Sequence, residues 1–383
     1  MKNLKLFVLF MFIVFATFAH ADLRNFTQRY TKSLKGNLKV IGNTVLESID
    51  GYTYPNSYVR LRYVGVDGDY RTFNSSSATI NTAEAGVDIS ASRIKWAGLY
   101  WQGYLHTNDG DLGIDSQYDI ANSQTTAHAQ ILEIINSHSV SLQRGTNSAH
   151  KVTPDKVDWH IQYNKRNYVA YKYSAFANVT SLLQDQSPSA RYTIANIPTR
   201  EGRTNKGSHR DRLGNYGAWS LVIVYDNNTS LAEKTRNISV FDGYLVIDNT
   251  TQQIDIPASG FKTPKNAPNG VDSTLSVFAA KGDKTYTGDF LELINQDDLN
   301  YRLASSDGTN NFFNSSIEGV PIRNPSLPNN MGIDIHTQQV GTSAGSSMPI
   351  KTNHTNATIR IGTAGDHFMP SMVAFATEFY SPK

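Results

Sequence analysis

The sequence predicts an all-β protein of the β-sandwich or jelly-roll type with one short helix. Three observations predict it. Strand-like runs follow one another along the chain, separated by Gly, Asn, Asp and Pro. Helical periodicity is almost absent. Charged residues make up only 18%, and the polar share falls instead to Asn, Ser and Thr, with Tyr 20 and Phe 17. That balance suits pleated, half-buried surfaces.

The chain opens with Lys2 and Lys5, an apolar run from Leu6 to Phe18, and Ala19-His20-Ala21 before Asp22. This is the layout of a secretory signal peptide, residues 1–21. The apolar run is short for a bilayer span, and no stop-transfer segment follows it. The expected location is extracellular, at the cell surface or in a periplasm. The chain has no cysteine, so a buried core must stabilise it in place of disulfides. Thiol catalysis, Cys-ligated zinc and iron–sulfur clusters are excluded.

The strands follow in order. Asn37–Leu46 (NLKVIGNTVL) and Ser57–Gly65 (SYVRLRYVG) alternate. Arg93–Leu105 (RIKWAGLYWQGYL) carries aromatic residues on both faces. Ile94, Trp96, Tyr100, Gln102 and Tyr104 share one face; Ala97, Leu99, Trp101 and Leu105 share the other. Two apolar faces indicate a central strand covered on each side. Trp101 is therefore expected in the core. Tyr100 and Tyr104, with polar Gln102 between them, are the candidates to reach a surface and touch a ligand.

Asn167–Phe176 and Arg191–Ile197 flank the short helix at Val179–Gln184, which has Asn178 as its N-cap and Pro188 beyond its end. Ala218–Asp226 (AWSLVIVYD) is apolar on both faces, and Trp219 joins Trp101 as expected core. Ile238–Asp248, Ser273–Ala280, Ala357–Thr363 and Met372–Tyr380 complete the series.

Thr199–Asn215 lacks apolar periodicity and holds Arg200, Arg203, Lys206, Arg210 and Arg212. It reads as a basic loop or linker over 201–214, between a sandwich of residues 22–200 and another of 215–383. The alternative is a long loop within one continuous domain. A polyanion such as lipopolysaccharide is a conceivable contact for its basic side chains.

Few motifs carry chemistry. Asp109, Asp111 and Asp115 in HTNDGDLGIDSQYD place oxygen ligands near a glycine turn, as a calcium loop requires. The EF-hand pattern is not met, and a polar hairpin loop is the competing reading. Calcium is the one cofactor the sequence offers. Asp67 and Asp69 in VDGDY, and Asp283 and Asp289 in KGDKTYTGD, read as turn residues. Asp242 in FDGYLV reads as an Asp-Gly turn or bulge. The histidines lack zinc-helix spacing, and there is no G-x-S-x-G elbow or phosphate loop. Lys+Arg 35 against Asp+Glu 33 gives no one-sided basic face, so nucleic acid is not expected as a partner.

The segments IKWAGLYWQGYL, ANVTSLLQDQSPSARYTIANI, YGAWSLVIVYDNN, RNISVFDGYLVI and FATEFYSPK, taken in series, resemble the β-rich region of large bacterial surface proteins. Those proteins often carry adhesin-like repeats of the DUF11 type further along. They usually continue past the TEFYSPK strand, where this chain stops, as a stand-alone member or a truncated form would. The resemblance implies a non-catalytic cell-surface or adhesin-like role, with a surface glycan or protein as ligand. A carbohydrate-binding or carbohydrate-hydrolysing secreted protein is the alternative, and a structural envelope component is a third.

Overall fold

The computed structural model describes residues 23–54, 58–81, 83–84, 87–106, 124–163, 169–202, 214–230, 232–267, 270–340 and 349–380. The expected signal peptide, residues 1–21, lies outside them. The fold is all-β, as expected, and is built as four stacked layers.

The two inner layers are wings of one ten-stranded sheet joined by the long strand β1 (Arg24–Thr44). The first wing takes β10 (Lys156–Tyr163), β11 (Val169–Asn178), β7 (Arg93–His106), β13 (Gly217–Asp226) and the second half of β1. The second wing takes the first half of β1, β14 (Thr235–Tyr244), β23 (Met369–Glu378), β16 (Ser273–Ala280), β21 (Ile333–Val340) and β19 (Ile317–Glu318). On β1, residues Gly36 to Thr44 pair with β13, and Arg24 to Lys35 pair with β14. Gly36 sits at the changeover. A Cβ there would lie 1.9 Å from the Tyr225 carbonyl oxygen, so only glycine lets the two backbones approach this closely.

The wings fold face to face. Gln102 Nε2 on β7 donates to Ser371 Oγ on β23 at 2.7 Å. A Cβ on Gly42 of β1 would meet Ile335 Cδ1 of β21 at 2.5 Å. Each outer face carries a cap sheet. The first cap comprises β20 (Arg323–Asn324), β4 (Ser75–Ile80), β12 (Ala190–Ala195), β8 (Val140–Arg144) and β9 (His150–Val152). Trp219 Nε1 donates to Ser76 Oγ across this interface at 2.8 Å. The second cap comprises β15 (Gln253–Ser259), β22 (Asn356–Gly362), β17 (Phe290–Asn295) and β18 (Asn300–Arg302). Two small hairpins, β2 (Leu46–Ser48) with β3 (Leu61–Tyr63) and β5 (Ala83–Glu84) with β6 (Val87–Asp88), lie outside the stack.

The period of two along each strand divides the core. On the second wing Ile238, Val240, Met372 and Ala374 point inward to the first core. Their neighbours Phe241, Val373 and Phe375 join the second core with Leu293, Ile359 and Ile361. An inner strand therefore has no face for water, which explains the unbroken apolar runs of Leu221–Tyr225 and Met372–Ala376.

Two expectations need correction. The segment 201–214 does not divide one sheet from another. β7 and β11 before that loop and β13 after it belong to the same wing. The handover falls between β13 and β14, at residues 227–234, and β1 and β20 cross it in opposite directions. The helix count is also higher. The short helix α2 (Thr180–Leu183) is present, with Asn178 Oδ1 accepting from the Thr180 amide at 3.0 Å. A longer helix, α1 (Gln124–Ser137), precedes β8 and buries Ile131 and Ile135 at i, i+4. No helix of the described residues is long and apolar enough to cross a membrane.

Candidate functional site

Trp101 and Trp219 are core, 1% and 0% exposed. Tyr100 and Tyr104 are each 1% exposed, so neither reaches a surface or a ligand from outside. Their face of β7 is the seam between the two wings. Gln102 was expected to signal water; it is fully buried, its Nε2 donating to Ser371 while its Oε1 has no hydrogen-bond partner among the described residues. A hydrogen-bonded polar side chain is compatible with a dry interior. The expected calcium ligands Asp109, Asp111 and Asp115 lie outside the described residues. Of the basic loop, Arg200 is buried and its Nη1 donates to the His106 carbonyl at 2.9 Å. That places it in the fold rather than on a polyanion-binding surface; residues 203–213 lie outside the described residues.

A concave feature of the surface lies on the outer face of the first cap sheet. A groove of about 390 Å³ runs there, within the roughly 300–1,000 Å³ of small-ligand sites. Its floor comes from alternate positions of neighbouring strands: Ser141 and Gln143 on β8, Thr193 and Ala195 on β12. Period-two geometry puts these side chains on the outer face, where Thr193 and Ala195 are nonetheless buried, while Leu142 and Ile194 turn into the core. The wall is the loop from Asp67 to Thr72, and Tyr70 stands on it 95% exposed.

The loop is held by its own side chains. Asp67 accepts from Thr72 Oγ1 at 2.9 Å and from the Asp69 amide at 3.2 Å. Gly68 supplies the left-handed turn at φ +71°. Asp69 accepts from the Arg71 amide and forms an ion pair with the Arg71 guanidinium at 2.7 Å. Those bonds hold the Asp69 carboxyl down at about 2. Ser75 Oγ on β4 accepts from the Val66 and Asp67 amides, and Asn196 Oδ1, just past β12, accepts from the Phe73 amide, which pins the loop to the cap sheet. Asp67 and Asp69 thus do the turn chemistry expected of them. Their anchoring of a fully exposed ring beside the groove was not legible, because this loop comes to lie beside β8 and β12 only after distant strands pair.

Two buried charge networks belong to the scaffold. Asp242 lies within β14 and is not a turn; the register irregularities beside it are in its pairing with β1. Arg24 bridges Asp242 at 2.9 Å and Asp158 at 2.8 Å, and Arg29 pairs with Asp242 at 2.7 Å. This ties the N-terminal half of β1 to both wings. The second network joins Asp283 and Asp289 after β16, Asp334 and His336 on β21, and Asp366 before β23. Burial, with the Asp334 charge nearby, pushes the Asp289 carboxyl up to about 7. Burial, with Asp283 and Asp289 nearby, pushes Asp366 up to about 8. Burial opposes charge on His336, but Asp334 at 3.5 Å and Glu318 at 3.6 Å prevail and raise its pKa. Among the described residues no group of three or more His, Asp or Glu is arranged to hold a metal ion.

No protein-family model matches the chain, and no curated protein sequence does. Among solved structures, the chain has a faint likeness to one titled "Structure of infectious bursal disease virus Gx strain", at 11% identity and a TM-score of 0.21, covering 94% of this chain and 73% of that one. At that TM-score the likeness carries no argument about fold or function.

Proposed function

We propose that this chain is an exported, non-catalytic recognition protein that acts at a cell surface through the groove on its first cap sheet. The observation that carries the reading is Tyr70. A large ring that is 95% exposed stands on a loop whose backbone is locked by Asp67, Asp69 and Ser75. A preorganised wall loses little entropy on binding, which favours affinity. The export signal expected at the N-terminus and the resemblance to bacterial surface proteins support the location.

Hydrolysis in the groove is disfavoured. A glycosidase needs one carboxyl kept protonated as general acid. Asp69 is displaced the opposite way, to about 2, by Arg71, and Asp67 is occupied by Thr72 and the Asp69 amide.

Beads coated with the full mature chain test the reading. They should adhere to intact cells, and Tyr70→Ala beads should adhere much less. Equal adhesion of the two would refute recognition through the groove. The ring makes no contact that holds the loop, so unchanged thermal melting is expected to accompany the loss.

A further inference from the structure

We infer that the groove takes a neutral saccharide chain, with Tyr70 as the stacking platform and the floor of the first cap sheet as the hydrogen-bonding surface. The inference rests on the recognition role proposed above and names its ligand class.

Charge within the lining favours a neutral ligand. The charged side chains lining the groove are Asp67, Asp69 and Arg71; Lys151, paired with Ser141 across β8 and β9, and Arg191, two residues before Thr193 on β12, stand exposed on the same face beyond the lining. Arg71 is closed onto Asp69 through Nε at 2.8 Å and Nη2 at 2.7 Å, the bidentate form that fits a carboxylate best. Asp67 is committed to Thr72 and to the backbone. A phosphate, sulfate or uronate would have to break the Arg71 pair to find a cation within the lining, or reach past it to Lys151 or Arg191. A cationic ligand would have to take Asp69 from Arg71.

The remaining chemistry is neutral. Ser141 and Thr193 offer hydroxyls that, among the described residues, have no partner within the protein. Gln143 gives its amide nitrogen to the Asn147 carbonyl at 3.0 Å and keeps its carbonyl oxygen for a donor. Hydroxyls that both donate and accept match the hydroxyls of a sugar ring. The ring of Tyr70 matches the other side of such a ligand, since a pyranose has an apolar C–H face and a polar edge. Ala149 and Ala195 leave room without adding charge. A peptide ligand would meet no sheet edge here, because the groove lies over the face of β8 and β12 and not along an open strand.

Calorimetric titration of the full chain tests this against neutral oligosaccharides found by a glycan array, with sulfated and uronate-containing oligosaccharides of equal length as the second arm. Neutral saccharides should bind, and Tyr70→Ala should weaken binding by about tenfold or more. Tyr70→Phe should keep most of the affinity, and the double substitution Ser141→Ala, Thr193→Val should lower it. Preference for the anionic set, or an affinity for neutral saccharides indifferent to Tyr70→Ala, would overturn the assignment. Periodate oxidation of the target cells separates the two levels. Tyr70-dependent adhesion that survives periodate sinks the saccharide and leaves recognition standing, whereas adhesion that never depended on Tyr70 sinks both.

Discussion

Replacing Asp289 with Asn should flatten the pH dependence of stability between about pH 4 and pH 7. Asp289 is fully buried, and its Oδ2 accepts from the Phe313 amide. Its Oδ1 has no hydrogen-bond partner among the described residues. Burial and the neighbouring Asp334 lift its pKa from 3.8 to about 7. In the unfolded chain the carboxyl loses its proton near its ordinary value; in the folded chain it keeps the proton until about pH 7. The unfolded state is therefore favoured progressively as pH rises across that interval, by about 1.4 kcal/mol per unit, and on the order of 4 kcal/mol in all. Asp366, lifted to about 8, extends the decline. Glu318, lowered to about 2 by His336 and the Ser306 amide against the effect of its burial, works the other way. Its contribution is present above its unfolded pKa and is lost as pH falls below about 4. Asn cannot ionise, and its carbonyl oxygen can still accept from Phe313. Urea melts of parent and Asp289→Asn at about pH 4.5 and 7.5 measure the difference. The parent should lose several kcal/mol more than the variant between the two. Parallel pH profiles would refute the claim that Asp289 is held protonated by the fold.

Other consequences are direct. Trp101→Ala should destabilise by about 3–5 kcal/mol in a denaturant melt, since the ring is 1% exposed between the first wing and its cap; a melt that overlays the parent would contradict its core position. Gly36→Ala should cost about 1–3 kcal/mol or more, because its Cβ would sit 1.9 Å from the Tyr225 carbonyl where β1 changes wings. If trypsin cuts within 203–213, the two fragments should stay associated on native size-exclusion chromatography and melt together, because β13 pairs with β7 across the cut. Fragments that separate and melt independently would show that the wing is not one cooperative unit.

The sequence alone was sufficient for the all-β class and for the core role of Trp101 and Trp219. Both follow from local pattern: strand period, turn residues, and runs apolar on each face. By composition Thr199–Asn215 looks like a linker, yet the strands on either side of it, β7 and β13, pair within one wing. Polar strands escaped notice. Ser75–Ile80 and the half of β1 from Arg24 to Lys35 have no apolar run to announce them, and only their partners make them strands. The same limit governs the site. The side chains of Tyr100, Gln102 and Tyr104 could be assigned a face, but which layer covers that face depends on how β1 folds one wing onto the other. Tyr70 sat in an ordinary turn sequence, and its groove exists only because β12 brings β4 and β8 together from more than sixty residues apart. Period and composition are properties of neighbouring residues, whereas a layer or a groove is made by contacts between residues far apart in the chain, and those are decided by tertiary packing.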